Sequence, residues 1–335
     1  MRAKFSVLDI FSGAGGFSRG FKEAGFDILV SIENDPPVSK TYKANFPETE
    51  QIADDVKEID YNVLKSLGYQ RGDFDVIIAS PPCEPFTPTN KNRKTDPIDR
   101  LYCDPIGQLY LHAIRIINEV RPKFFVIENV AGILQDDIKE SIFKELKRSG
   151  YDEIYFNVLY AEHHGVPSMR TRVFVSNLKL ELKKQRMISV EEALKDLPNP
   201  GSYWPPNHEE PQPLTKRLRK RVSNARWGRA MIEFEGAENK RFRNFIRLNP
   251  YRPAPTVMGS SRFIHPFEDR LLTVREQARL MGFPDYHVFL GGRDSQYNMI
   301  GEAVPPPLSK EIALYVMNYL KENIVNRGVN NQKLM

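Results

Sequence analysis

Residues 74–87 read F-D-V-I-I-A-S-P-P-C-E-P-F-T. The apolar run 74–79 has the length and branched side chains of a strand buried on both faces, as in a parallel sheet. Pro81 and Pro82 end it and leave the chain few conformations as it exits. Cys83 is therefore expected on a stiff turn at the carboxyl edge of a sheet, where open α/β sheets bind their ligands. Further strand-like runs lie at 5–10, 28–32, 124–127, 154–160 and 172–176, with helical patterns between them. The clearest pattern sets Leu109, Ala113, Ile116, Ile117 and Val120 on one helix face. This alternation predicts an α/β fold: a mostly parallel sheet with helices on both faces.

The pattern breaks near residue 180. Prolines at 198, 200, 205, 206, 211 and 213 exclude a long helix or strand there. Residues 214–247 then carry eleven Lys and Arg against three Glu, with Trp227, Phe242 and Phe245 interleaved. The whole 335-residue chain has a net charge of only +5, so its basicity is concentrated in this block and points to a polyanionic partner. Helical patterns return at 273–281 and 308–320, the second after three prolines, and a polar tail follows from 323. With 41% hydrophobic and 27% charged residues, the composition is that of a soluble globular protein. No run is long enough to span a membrane, the N-terminus shows no secretory leader, and the two cysteines form no disulfide framework. A cytoplasmic location is the expectation.

Chemistry-bearing residues gather at the predicted strand ends. Residues 11–17, F-S-G-A-G-G-F, place glycines at a strand–helix turn, where a ligand can approach the backbone closely. Their spacing is not the dinucleotide fingerprint. Glu33, twenty residues after Gly13 and followed by Asn34, is placed to accept from ribose hydroxyls. Asp54 and Asp55, followed by Val56, add acceptors at a loop position for an adenine amine. Glu128 ends the run 124–127 and can share a cleft with Cys83. Arg170 and Arg172 alternate along a strand, so both guanidiniums can face one cleft. The polar segment 87–105 reads as a mobile lid, and Cys103 as a structural cysteine.

Together these motifs resemble the cytosine-C5 DNA methyltransferases, in the family's order and over nearly the whole chain. Residues 11–17 are similar to the cofactor loop. Pro82-Cys83-Glu84 resembles the nucleophile motif, usually P-C-Q. Glu128-Asn129-Val130 matches E-N-V, and 163–172 resembles the arginine motif. Residues 270–284 and 296–306 resemble the closing and final cofactor motifs. The resemblance implies transfer of a methyl group from S-adenosylmethionine to C5 of a flipped-out cytosine, through a Cys83–C6 adduct, leaving S-adenosylhomocysteine. It implies Cys83, Glu128, Arg172 and Arg170 as catalytic residues. It implies Phe11, Gly13, Gly16, Glu33, Asn34, Asp55, Val56, Pro82, Leu109, Ala303 and Val304 around the cofactor, with no metal. Glu84 and Glu302 depart from the usual residues.

The domains expected are a catalytic, cofactor-binding part (1–180), a target-recognition part with the closing motif (181–298), a returning segment (299–325) and a tail (326–335). Duplex DNA is the expected partner, gripped by Lys91, Arg93, Lys94, Arg217, Arg219, Arg221, Arg226, Arg229, Arg241 and Arg243. The expected protein is a monomer, with a cognate restriction endonuclease as a genetic rather than physical partner. A tRNA cytosine methyltransferase uses the same cysteine chemistry and is the alternative. An amino-methyltransferase would need an aromatic residue where Cys83 stands. A non-catalytic cofactor or nucleic-acid binder would not need Cys83, Glu128 and Arg172 together.

Overall fold

The computed structural model describes the backbone of residues 4–332 and the side chains of residues 4–322. One sheet holds β1 (Ser6–Ile10), β2 (Asp27–Ile32), β3 (Glu50–Ile52), β4 (Val76–Ala79), β5 (Phe124–Asn129), β6 (Tyr155–Tyr160) and β7 (Thr171–Ser176). Their order is β3-β2-β1-β4-β5-β7-β6. Strands β1 to β5 pair in parallel, while β7 runs antiparallel to both β5 and β6. The ten residues between β6 and β7 hold one short 3-10 turn, Ala161–His163. That link is too short for the crossover that a parallel neighbour requires, so the chain doubles back. Strand β3 escaped the sequence reading because three partly exposed residues at a sheet edge carry no readable period.

Every residue of β1, β4 and β5 is buried. Alternate side chains feed two cores on opposite faces of the sheet. Leu8 and Ile10 pack with Ile77, Ile127 and the Ala113–Ile117–Val120 face of helix Gln108–Val120. Val7, Val76 and Val126 pack with Phe17, Phe21, Leu308, Ile312 and Val316 on the other face. The mixed, mostly parallel sheet with helices on both faces is thus the one expected.

The last helix, Pro306–Gln332, lies across the first, Gly16–Glu23. It runs through most of the stretch expected as a polar tail, whose residues 333–335 lie outside the described ones. A side chain at Gly20 would stand 2.4 Å from Lys310 N and from Ser309 Cβ, so the crossing is as close as glycine permits. Ser309 Oγ donates to Phe17 O across the same contact, at 2.6 Å. This crossing carries the chain's C-terminal segment back onto the sheet.

The basic block contains structure that the sequence reading left unassigned. Helix Lys216–Ser223 precedes a two-stranded antiparallel hairpin, β8 (Ala230–Glu235) and β9 (Arg241–Ile246). Phe234 and Phe242 stack across it with ring centroids 5.6 Å apart. Among the described residues, no helix is long and apolar enough to cross a membrane.

Gly20→Ala is expected to push the two helices apart and destabilise the protein by about 1–3 kcal/mol, the usual cost of an overpacked contact. A denaturant midpoint shifted to lower concentration at unchanged slope is the result to look for; an unshifted midpoint means the crossing adjusts freely.

Candidate active site

The carboxyl ends of β1, β2, β4 and β5 open into one cleft of about 1470 Å³. At the end of β4, Ser80 N donates to Ile10 O at 3.1 Å. Asn129, at the end of β5, donates from Nδ2 to Pro81 O at 3.0 Å and accepts Val130 N on Oδ1 at 2.9 Å. One buried amide thus ties the proline turn to the neighbouring strand. Cys83 O then accepts both Phe86 N and Thr87 N at 3.0 Å, which closes the turn that presents the cysteine.

Cys83 is partly buried, and burial is the main reason its thiol is pushed up to about 11. Arg172 pulls it down, while Glu84 and Glu128 push it further up. Glu128 is 5% exposed. Burial raises its carboxyl above the ordinary range, opposed by Arg172 and Arg170. Arg172 Nε lies 3.0 Å from Glu128 Oε1. Beyond this ion pair, Oε1 is buried with no hydrogen-bond partner among the described residues. Glu128 therefore keeps hydrogen-bonding capacity for something placed in the cleft.

Arg170 lines the cleft but turns its donors elsewhere. Its Nη1 donates to Val257 O (2.8 Å) and Gly301 O (2.9 Å), and its Nη2 to Ala303 O (3.0 Å). Of the two arginines expected side by side, only Arg172 pairs with Glu128; Arg170 fastens the surrounding walls. Its alternation with Arg172 was legible in the sequence, but its carbonyl partners, 87 to 133 residues away, were not.

The other end of the cleft is lined by Phe11, Gly13, Gly16, Glu33, Asn34, Asp55, Val56, Pro82, Leu109, Ala303 and Val304. Glu33 accepts Gly13 N on one carboxyl oxygen (3.0 Å) and Asp35 N on the other (2.9 Å). Burial raises its pKa despite these bonds. The space above Gly13 is open, with no atom within 4 Å of where a side chain would begin, whereas at Gly16 a Cβ would stand 2.4 Å from Val304 O. Gly16 is thus a closely packed seat for the returning chain, and Gly13 faces room for a ligand. An open glycine edge, an acceptor at the end of β2 and apolar flanks at Val56 and Leu109 suit a nucleoside carrying a ribose diol.

The C-5 cytosine-specific DNA methylase family model matches residues 5–318. The chain belongs to this family. It is 47% identical to M.MJ0563P of Methanocaldococcus jannaschii, over 94% of this chain and all of that one. It is 33% identical to the type II methyltransferase M.DdeI of Desulfomicrobium norvegicum, over 96% and 91% of the two chains. It is similar to an Escherichia coli prophage-encoded chain assigned to DNA modification, with a TM-score of 0.76 and 26% identity, covering 95% of this chain and all of that one. The Entamoeba histolytica methyltransferase EhMeth shares the fold, with a TM-score of 0.69 at 18% identity, over 95% and 99% of the chains. The protein is a DNA cytosine-C5 methyltransferase.

In this methyltransferase the cations expected to grip DNA divide into two groups. Arg217, Arg219, Arg226, Arg229 and Arg241 are exposed and make no side-chain ion pair among the described residues, and Lys94 is likewise exposed. The others are already engaged within the protein. Lys91 pairs with Glu235 at 2.9 Å, Arg93 with Glu238, and Arg243 with Glu233 at 3.7 Å. Arg221 donates to Met231 O. The lid segment is correspondingly held rather than loose: it contains helix Pro97–Tyr102, and Arg100 donates to Lys94 O, Thr95 O and Gln135. Cys103 is exposed, contrary to its reading as a structural residue.

Sequence reasoning missed Asn129 as the tie to the proline turn, and His287. The buried His287 ring meets Ala14 O at 2.9 Å through Nε2 and the Arg19 guanidinium at 3.4 Å through Nδ1. It braces the glycine loop from behind. Burial and the Arg19 charge hold it well below its usual pKa, so it is neutral near pH 7. Glu302 also faces the cleft, and enclosure together with Glu84 and Glu33 pushes it up to about 7.

A thiol near 11 is about one part in 10⁴ thiolate at pH 7. In a Cys103→Ser background free of nucleic acid, alkylation of Cys83 by iodoacetamide is therefore expected to quicken about tenfold per pH unit from 7 to 9. A rise of well under tenfold between pH 8 and 9, as the thiolate nears saturation, would show an ordinary thiol.

Proposed function

We propose that this methyltransferase takes its methyl group from S-adenosylmethionine and acts on a cytosine flipped out of duplex DNA, with Cys83 as the covalent nucleophile. The observation that carries this reading is the opening of Cys83, Glu128 and Arg172 into the same cleft as the open glycine edge and Glu33. Glu128 is nearly buried at the cleft floor, out of reach of a base stacked in a duplex, so the target must leave the stack.

In this reading the Cys83 thiol loses its proton to solvent, and the thiolate sulfur attacks C6. Glu128, whose carboxyl burial raises, offers a proton toward N3 and so offsets the charge that attack pushes into the ring. Arg172 fixes Glu128 and faces the base from the same side. Bound S-adenosylmethionine supplies the methyl group to C5. Loss of the C5 proton to a base then restores the double bond and expels the Cys83 sulfur. Glu33 and the glycine edge hold the nucleoside part of the cofactor, and Asp55 with Val56 its base.

The recognition region reads one short target sequence, its exposed arginines binding mainly phosphates. Two of the relatives above bear type II names, which supports a modification role beside a restriction endonuclease encoded nearby. The working unit in this reading is a monomer.

The test is incubation with radiolabelled S-adenosylmethionine and either mixed-sequence duplex DNA or total tRNA. Label is expected in DNA as 5-methylcytosine. Cys83→Ser is expected to abolish it while leaving cofactor binding intact; loss of both together would make Cys83 structural. Glu128→Gln is expected to slow transfer by roughly 10²–10⁴-fold, the worth of a positioned acid. Label confined to tRNA would overturn the assignment of substrate but not of chemistry.

A further inference from the structure

The nucleophile loop and the recognition hairpin are joined directly across the mouth of the cleft. Arg93 sits at the centre of the join, its side chain 7% exposed. Its Nη1 donates to Phe86 O at 3.0 Å, and Phe86 N donates in turn to Cys83 O. Its Nη2 pairs with Glu238, at the tip of the hairpin. Beside it, Lys91 pairs with Glu235 at 2.9 Å, and Ala237 N donates to Pro88 O at 2.8 Å. Gly236 meets the same carbonyl so closely that a Cβ would stand 2.3 Å from it. Glu238 adopts φ +57°, a left-handed conformation uncommon for a residue with a side chain, and Asn239 follows at +58°. The hairpin tip is thus bent so that it meets the loop.

We propose that Glu235 and Glu238 strap the nucleophile loop to the recognition hairpin in the free protein, with Arg93 as the positioning residue that transmits the hairpin's position to the Cys83 turn. Lys91 and Arg93 are the type of side chain a nucleic-acid backbone attracts, yet both are held by carboxylates. A duplex entering the cleft brings phosphates that compete for the same two cations. The strap then opens as the hairpin engages its target, and access to Cys83 becomes conditional on recognition. Only this last step depends on the DNA reading above; the strap itself is a property of the free protein.

Three charges determine the outcome at each end, and they differ in strength. Glu238 is shared between Arg93 and Lys240, the latter at 2.9 Å. Glu235 faces Lys91 and, across the strands, Arg241. The Lys91 and Glu235 side chains are half-exposed or more, as is Glu238, so salt screens these pairs.

The experiment is performed without DNA, in a Cys103→Ser background, by timing iodoacetamide alkylation of Cys83 at fixed pH from low to high salt. The unsubstituted strap is expected to quicken with salt, as screening releases the loop. Glu235→Gln combined with Glu238→Gln is expected to be faster at low salt by roughly 2- to 20-fold, the range that two partly exposed pairs supply, and to have lost most of the salt response. Cofactor binding and the thermal midpoint serve as controls against general unfolding. Equal alkylation rates and equal salt responses with and without the two carboxylates would overturn the proposal. Because no methyl transfer is measured, a wrong choice of nucleic acid leaves this result interpretable.

Discussion

A buried guanidinium with no carboxylate partner holds the walls of this cleft together. Arg170 is 2% exposed and donates to the carbonyls of Val257, Gly301 and Ala303. Burial depresses its pKa to about 9, which still leaves it charged at neutral pH. A buried cation is tolerated only where its donors are largely met; here backbone carbonyls meet both Nη groups, while Nε has no partner among the described residues. The three carbonyls come from the recognition region and from the segment returning to the sheet. Arg170 immediately precedes β7, and Arg172, two residues on, reaches Glu128. The placement of the walls and the placement of the catalytic carboxyl are thus set by adjacent residues of one chain segment. Gly301 reinforces the arrangement: a Cβ there would lie 2.1 Å from the backbone of Met258 and Gly259, so the two walls meet without a side chain between them.

The electrostatics of the cleft favour a resting site that is quiet. Burial and two carboxylates keep the thiol protonated, with Arg172 as the main opposing charge. The same burial raises Glu128. A protonated thiol and a raised carboxyl are poorly reactive until substrate alters the balance. A bound cofactor of positive charge near the thiol would favour the thiolate, and a base that accepts Glu128's proton would remove the barrier to attack.

Much of this was legible in the chain itself. Strands β1, β4 and β5 carry apolar runs because they are central and buried on both faces, and β2, β6 and β7 hold enough apolar residues to be read, although β6 is a half-exposed sheet edge. The cleft residues were legible for a related reason: strand ends in such a sheet converge, so Glu33, Cys83 and Glu128 meet although far apart in sequence. Three things were not legible. Strand β3 is too short and too exposed to imprint a pattern. Strand β9 sets Arg241 and Arg243 around Phe242, and β8 sets Glu233 and Glu235 around Phe234, so charge at every second position masked the period. The partners of Arg93, Arg170 and His287 depend on tertiary contacts, and charge alone does not distinguish an arginine that binds phosphate from one that binds carbonyls.

That last distinction changes the meaning of the basic block. Read as a sum, residues 214–247 carry eight excess positive charges. In the folded protein Arg247 is buried, donating to Val222 O at 3.0 Å and pairing with Asp269, and Arg221 holds Met231 O. Lys240 and Arg243 have carboxylate partners. The cations left without such partners are on helix Lys216–Ser223, in the turn at Arg226 and Arg229, and at Arg241 on the hairpin. Since each phosphate neutralised on duplex DNA contributes about 0.9 to the salt dependence of binding, counting every basic residue of this block overstates the slope. The engaged arginines are taken up within the protein, and the others stay open to solvent. Arg241 belongs both to the cleft lining and to this exposed group.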